Sequence, residues 1–259
     1  MEHPQNTLVS VIVPVYNKGE YLTETVQSIL RSTYQHIEVI LIDDGSSDNS
    51  VEIAKDFAGQ NSKVKFLQQE NQGVSVARNN AIENALGIYI LPFDADDILM
   101  PEFIGEAVKV LNANSNIKVV SSRGEFTGNK TGEWILPTFD LKILATKNML
   151  PACCMYRKED WKRVGGYFAG LKGREDWDFW ISLLKEGGEV YRLPIIGFKY
   201  RIQRNSKRIR TRKYKKEFVD IFNARHKEFF KKYLNGPLRY QRSWSKRYNN
   251  FLKLLGLLK

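Results

Sequence analysis

Four short apolar runs recur in the first hundred residues, and each stops at polar or acidic residues. They lie in LVSVIVPVYN (8–17), IEVILIDDGSSDNS (37–50), VKFL (64–67) and IYILPFDADDIL (88–99). Their length and β-branched content suit buried strands. Between them the apolar period changes to that of a helix. Leu22, Val26, Ile29 and Leu30 fall at i, i+4, i+7 and i+8 within 21–31, and the segments 50–57 and 74–86 also suit helices. Strands alternating with helices require long crossovers, so the predicted fold class is α/β, a Rossmann-like, mostly parallel sheet flanked by helices. In such sheets ligands bind beyond the carboxyl ends of the strands. Tyr16 and Asn17, Asp43 and Asp44, and Asp94, Asp96 and Asp97 are all expected at those ends.

Three aspartates within four positions repel one another and stay ionised only with help. One reading is an ordinary strand-to-helix turn with an aspartate cap. The other is a divalent cation, or a substrate that brings its own. Capping accounts for one acid per turn, not for acids on two strands converging at one rim. A nucleotide with its metal is the expected occupant. The chain has no GxxxxGK[ST] loop and no GxGxxG after its first strand, which disfavours a P-loop NTPase and a dinucleotide fold.

VSVIVPVYNKGEYLTETVQSIL, IEVILIDDGSSDNS, NQGVSVARNNAI and YILPFDADDIL, followed by GREDWDFWISLL at 173–184, occur in that order. Together they resemble the family 2 glycosyltransferases, which have the GT-A fold. The resemblance spans roughly residues 8–200. It implies a nucleotide-sugar half (1–101), an acceptor half (102–200) and, outside the resemblance, a basic amphipathic helical extension (201–259). It implies an inverting, metal-dependent transfer from a nucleoside diphosphate sugar, most simply a UDP-sugar, to a glycan or lipid-linked glycan acceptor in surface polysaccharide synthesis.

The resemblance also assigns roles. Pro14, Tyr16 and Asn17 would line the base and ribose pocket. Asp43 and Asp44 would divide two tasks, accepting the uracil N3–H and capping the turn. Arg78 would reach the nucleotide or its phosphates with its planar fork. Asp94 and Asp96 form the DxD pair, Asp97 extends it, and Asp96 or Asp97 would ligate Mn²⁺ or Mg²⁺, both of which favour hard oxygen ligands. Asp176 would be the catalytic base, with Glu175 orienting the acceptor or the base. Trp177, Trp180, Ile181 and Leu184 share a helical face, so both acids fall at a helix N-terminus, where the dipole favours the ionised form. Asp178 would face solvent or support the site. Residues 149–155 would floor the acceptor site or belong to the core, and Trp134, Trp161 and Trp177 are either core or sugar platforms. Relatives often carry a His shortly after this helix, in a stretch like YRxHxxS. Here the stretch is KYRIQRNSKR, with Gln203 in that place and Arg201, Arg204 and Lys207 available to the diphosphate.

Charge is unevenly spread. Residues 199–259 hold 20 Lys/Arg against 3 Asp/Glu, and the first 198 hold 20 against 26. Helical patterning over 215–233 (Phe218, Phe222, Phe229, Tyr233) and around Trp244, Tyr248, Phe251, Leu255 and Leu258 sets aromatic faces beside Arg242, Lys246, Arg247 and Lys253. Such helices bind anionic membrane surfaces or pack on the catalytic domain. No apolar run reaches membrane-span length, no secretory signal pattern is evident, and Cys153 and Cys154 are adjacent. The expected location is therefore cytoplasmic, peripheral at the inner membrane face. The three histidines, His3, His36 and His226, fit no catalytic pattern and are expected at the surface. Nucleic-acid binding through the tail lacks a motif, so a polyanion-binding module, like an inactive UDP-binding relative, is a secondary reading.

Overall fold

A computed structural model describes residues 7–203, 211–239 and 246–256. Expectations for His3, Arg204, Lys207, Arg242, Trp244 and Leu258 lie outside these residues, as do the side chains of Lys246, Tyr248 and Lys253. The first four strands form where the apolar runs predict them: β1 (Val9–Val15), β2 (Ile37–Asp44), β3 (Val64–Gln69) and β4 (Tyr89–Pro92). Helices α1 (Gly19–Leu30), α2 (Ser50–Gln60) and α3 (Val74–Glu83) connect them. The pairs β1–β2, β1–β4 and β2–β3 are all parallel.

Period-two alternation divides each strand between two cores. Val9, Val11, Val13 and Val15 pack with Leu22 and Val26 of α1 on one face, while Ile12 packs with Ala77 and Ala81 of α3 on the other. Burial on both faces explains why the strands read as continuous apolar runs rather than alternating ones.

The second half is less regular. β5 (Ile98–Leu99), α4 (Phe103–Ala113), β6 (Ile117–Gly128), β7 (Gly132–Trp134), α5 (Leu141–Leu144), β8 (Met155–Arg157), α6 (Lys158–Arg163), α7 (Glu175–Leu184) and β9 (Glu189–Ile202) complete one sheet. Among the described residues its order is β3-β2-β1-β4-β8-β6-β9-β5, with β7 on β6. β8 runs antiparallel to β4 and β6, so the sheet is parallel on the nucleotide side and mixed on the other. β5 pairs Ile98 with Lys199 and Leu99 with Phe198, which fastens the Asp94–Asp97 turn to the end of β9.

The chain then forms α8 (Lys215–Arg225), α9 (Lys227–Leu234) and α10 (Lys246–Leu254). The single helix expected over 215–233 is broken at His226, whose backbone (φ −126°, ψ 32°) leaves the helical region. Phe218, Phe222, Phe229 and Phe230 are buried in the same core as Trp177 and Trp180 of α7. Phe222 meets Trp177 edge-on at 4.8 Å. The first part of the basic extension is thus packed into the body.

Candidate active site

Register brings the strand ends to one rim: Val15 pairs with Asp43 and Asp44 with Gln69, while Ile12 of β1 pairs with Pro92 at the end of β4. A cavity of about 700 Å³ opens there. Pro14, Tyr16, Asp44 and Arg78 line its nucleotide side. Asp94, Asp96, Tyr200, Arg201 and Gln203 line its centre, and Leu171, Lys172 and Glu175 its far side.

The tight turns allot the acids. Asp43 accepts the amides of Gly45 (3.1 Å) and Ser46 (3.2 Å), so it caps the β2–α2 turn and does not line the cavity. Asn17, at φ 51°, accepts the Ser47 amide at 2.8 Å and likewise braces this turn outside the cavity wall. Asp44 does reach the cavity, held by the amides of Gln72 (2.8 Å) and Gly73 (2.9 Å) and by Gln69 Nε2 (2.8 Å). Gly73, at φ 90°, lets the loop turn into α3, and Ser75 in its first turn keeps a buried hydroxyl without a partner among the described residues.

Arg78 is buried beneath the floor, only 2% exposed. Its Nη2 donates to Asp94 Oδ1 at 2.8 Å and its Nη1 lies 3.5 Å from Glu175 Oε1. Burial disfavours the charged guanidinium, but Asp94 and the carboxylates near it outweigh this and raise its pKa. Nε and Nη1 are buried and make no hydrogen bond among the described residues. Arg78 joins the DxD turn to α7.

Asp94, Asp96 and Asp97 are in three different settings. Asp94 faces Arg78. Asp96 lines the cavity and accepts Lys18 Nζ and Gln203 Nε2 on Oδ2. Asp97 is buried outside the wall and accepts the Arg201 amide at 2.8 Å. Burial, then repulsion from Asp94 and Asp96, raises the Asp97 carboxyl far above its usual range. Asp97, one of the two candidate metal ligands, is therefore placed as a brace between the turn and β9. Arg201 also bonds the Asp96 carbonyl through Nε (2.8 Å) and pairs with Glu24.

At α7, Glu175 faces the cavity. Asp176 is half-buried beside it and is not part of the cavity lining. Its carboxylate accepts Asn148 Nδ2 (2.7 Å) and the Trp177 amide (2.9 Å). Burial, then the neighbouring Glu175, lifts its pKa to about 6, although Arg78 and Arg174 pull the other way.

Packing decides between the remaining alternatives and corrects the placement of His226. Met149, Leu150, Cys153, Cys154 and Met155 belong to the core instead of flooring an acceptor site, because α7 and β4 cover them. Trp161 and Trp177 are buried, their indole N–H groups taken by Asn79 and the Leu144 carbonyl. Asp178 is fully buried and His226, expected at the surface, is 3% exposed. Asp178 accepts Arg225 Nε at 2.8 Å and Nη2 at 3.0 Å, and shares a 2.8 Å bond with His226 Nε2. Their pairing within the chain, across 47 and 48 residues, gave no local signal. Lys18 and Asn148 were also missed, as single polar residues outside any acidic cluster.

A mostly parallel sheet with these acids and a buried arginine gathered at one rim is the architecture of an α/β protein with its site beyond the strand ends. The model of glycosyl transferase family 2 matches residues 10–165, more than half the chain, and the chain belongs to that family. It is 51% identical over 98 residues to glycosyltransferase GlyG of Streptococcus pneumoniae, covering 38% of this chain and 33% of that one. It is 36% identical over 159 residues to the uncharacterized glycosyltransferase YibD of Escherichia coli K12, covering 61% and 43%. The chain thus spans less than half the length of these two curated relatives. Among solved structures, S. aureus TarS 1–349 in complex with UDP-GlcNAc superposes with TM-score 0.75 at 20% identity, covering 95% of this chain and 72% of that one. Mannosyltransferase PcManGT from Pyrobaculum calidifontis, in complex with GDP-Man and Mn²⁺, gives 0.68 at 20%, covering 88% and 68%. At such identity these two establish the fold.

Proposed function

We propose that the chain is an inverting glycosyltransferase that moves a sugar from a UDP-sugar to a glycan or lipid-linked acceptor in bacterial surface polysaccharide synthesis. The observation that carries this reading is one cavity lined by Asp44, Arg78, Asp94, Asp96 and Glu175 at the sheet rim. TarS in complex with UDP-GlcNAc supports a UDP donor, and PcManGT with GDP-Man and Mn²⁺ keeps a guanine nucleotide as the competing choice.

The donor's base would lie by Tyr16 and Asp44, with Asp94 toward the ribose and Arg78 and Arg201 toward the phosphates. Among the described residues no group of three His, Cys, Asp or Glu side chains is arranged to hold a metal. The Asp96 carboxylate and the Gln203 amide oxygen are hard donors at the cavity, and diphosphate oxygens and water would complete a Mn²⁺ or Mg²⁺ shell. When bound, the ion would offset charge on the departing nucleoside diphosphate. Asp176 is the proposed base. A carboxylate with a pKa of about 6 is deprotonated at neutral pH yet basic enough to take a hydroxyl proton. Asn148 holds Oδ2, and Glu175 at the cavity wall would position the acceptor.

No helix among the described residues is long and apolar enough to cross a membrane. α10 exposes Phe251 and Leu254 on a basic segment, which supports peripheral contact with an anionic membrane, where a lipid-linked acceptor resides. A screen of nucleotide sugars for hydrolysis with Mn²⁺ present tests the donor. Turnover of a UDP-sugar is expected, and absence of binding by any nucleotide would refute the reading.

A further inference from the structure

Lys18 stands at the mouth of α1, directly after the left-handed Asn17, and its amide donates to Ser50 Oγ at 2.9 Å. This fixed backbone aims the side chain into the cavity. The ammonium pairs with Asp96 Oδ2 and lies 3.4 Å from Gln203 Oε1, while Gln203 Nε2 reaches the same Asp96 oxygen at 2.9 Å. The two side chains of the pair are 26% and 17% exposed, so they attract each other more strongly than a surface pair would.

The other acids of the turn are engaged within the chain too: Asp94 is paired with Arg78, and Asp97, buried outside the cavity wall, accepts the Arg201 backbone amide. The cavity therefore presents little uncompensated negative charge to a free dication. A metal ion at Asp96 and an ammonium on the same carboxylate oxygen would repel strongly at such separations.

We propose that Lys18 is the built-in counter-cation of the metal site. A divalent ion gains Asp96 by displacing the Lys18 ammonium, and the donor's diphosphate provides the negative charge that receives the displaced lysine. This rests on the reading of Asp96 as metal ligand. Metal and nucleotide then bind with positive coupling, because each removes a cost the other would meet alone, and the coupling is reciprocal. Gln203 completes the arrangement: its amide offers both a donor to hold Asp96 and an oxygen to a metal.

The test measures Mn²⁺ binding to the full chain by the electron paramagnetic resonance signal of free Mn²⁺, with and without UDP. Wild type, Lys18→Met, Lys18→Gln and Asp96→Asn are compared, and thermal melts confirm that each is folded. Without UDP, both Lys18 variants should bind Mn²⁺ roughly fivefold or more tightly than wild type, the low end of ordinary coupling. The factor by which UDP improves Mn²⁺ affinity should shrink in both. Unchanged or weaker Mn²⁺ binding in the Lys18 variants overturns the proposal while leaving Asp96 as ligand. Mn²⁺ binding to Asp96→Asn equal to wild type overturns the proposal and the ligand assignment together. Failure of UDP to bind to any form removes the donor reading beneath both.

Discussion

Asp176 sets the chemistry at the scale of single residues. Asp176→Asn keeps the shape and one oxygen to accept the Trp177 amide, while its new NH₂ meets the Asn148 donor and the basic oxygen is lost. Transfer should fall by roughly 10²- to 10⁴-fold, with UDP affinity unchanged in calorimetry. The pKa of about 6 sets the sign of the pH dependence. A base works only when deprotonated, so initial rates should fall as pH drops through about 6 and level off above it. A flat profile from pH 5 to 8 would dismiss Asp176 as the base. The acids were legible in the sequence because like charges crowd there, but their individual tasks were not. Asp43 against Asp44, and Asp96 against Asp97, differ by which neighbouring amide each meets, and those amides come from loops up to about a hundred residues away.

The β4 edge illustrates how elements are fitted. Gly87, just before β4, brings its backbone against β1: its amide donates to Ser10 Oγ (2.9 Å) and Glu38 (3.2 Å). Ser10 also donates to Glu38 at 2.6 Å, and Lys65 pairs with Glu38 at 2.7 Å. A Cβ at Gly87 would lie 2.6 Å from the Ser10 amide nitrogen and 2.8 Å from the Leu8 carbonyl, both backbone atoms that cannot turn aside. Gly87→Ala should cost about 1–3 kcal/mol in urea unfolding. Stability equal to wild type would mean the strand moves freely. The regular elements of the first half were readable because each apolar run is flanked by its own turn residues. The β8–β6–β9 region was not, because β8 is only three residues long and β6 pairs with β9 through register shifts.

Across the whole molecule, the join between α7 and the extension matters most. Asp178, on the first turn of α7, holds Arg225 at the end of α8 and His226 at the break before α9. Burial opposes its charge, but the His226 and Arg225 hydrogen bonds together outweigh this and lower its pKa. A lowered carboxyl contributes stability above its unfolded pKa and loses it as pH falls through the folded one. Asp178→Asn should destabilise the fold by about 3 kcal/mol near neutral pH, because the buried His226 and the partly buried Arg225 lose their anion. The gap from wild type should narrow in acid, as read by denaturant midpoints across pH. An equal gap at all pH values would show that packing, not charge, is lost.

This bond between α7 and the extension bears on how the protein can be shortened. A single residue, Trp177, separates the clamped Asp178 from the proposed base. Ending the chain after β9 would strip the phenylalanines from one side of α7 and take Arg225 and His226 from Asp178, leaving its first turn held by Arg78, Asn148 and the Leu144 carbonyl. What looks in the linear chain like a detachable basic appendage is, in three dimensions, the back wall of the helix that carries the proposed base.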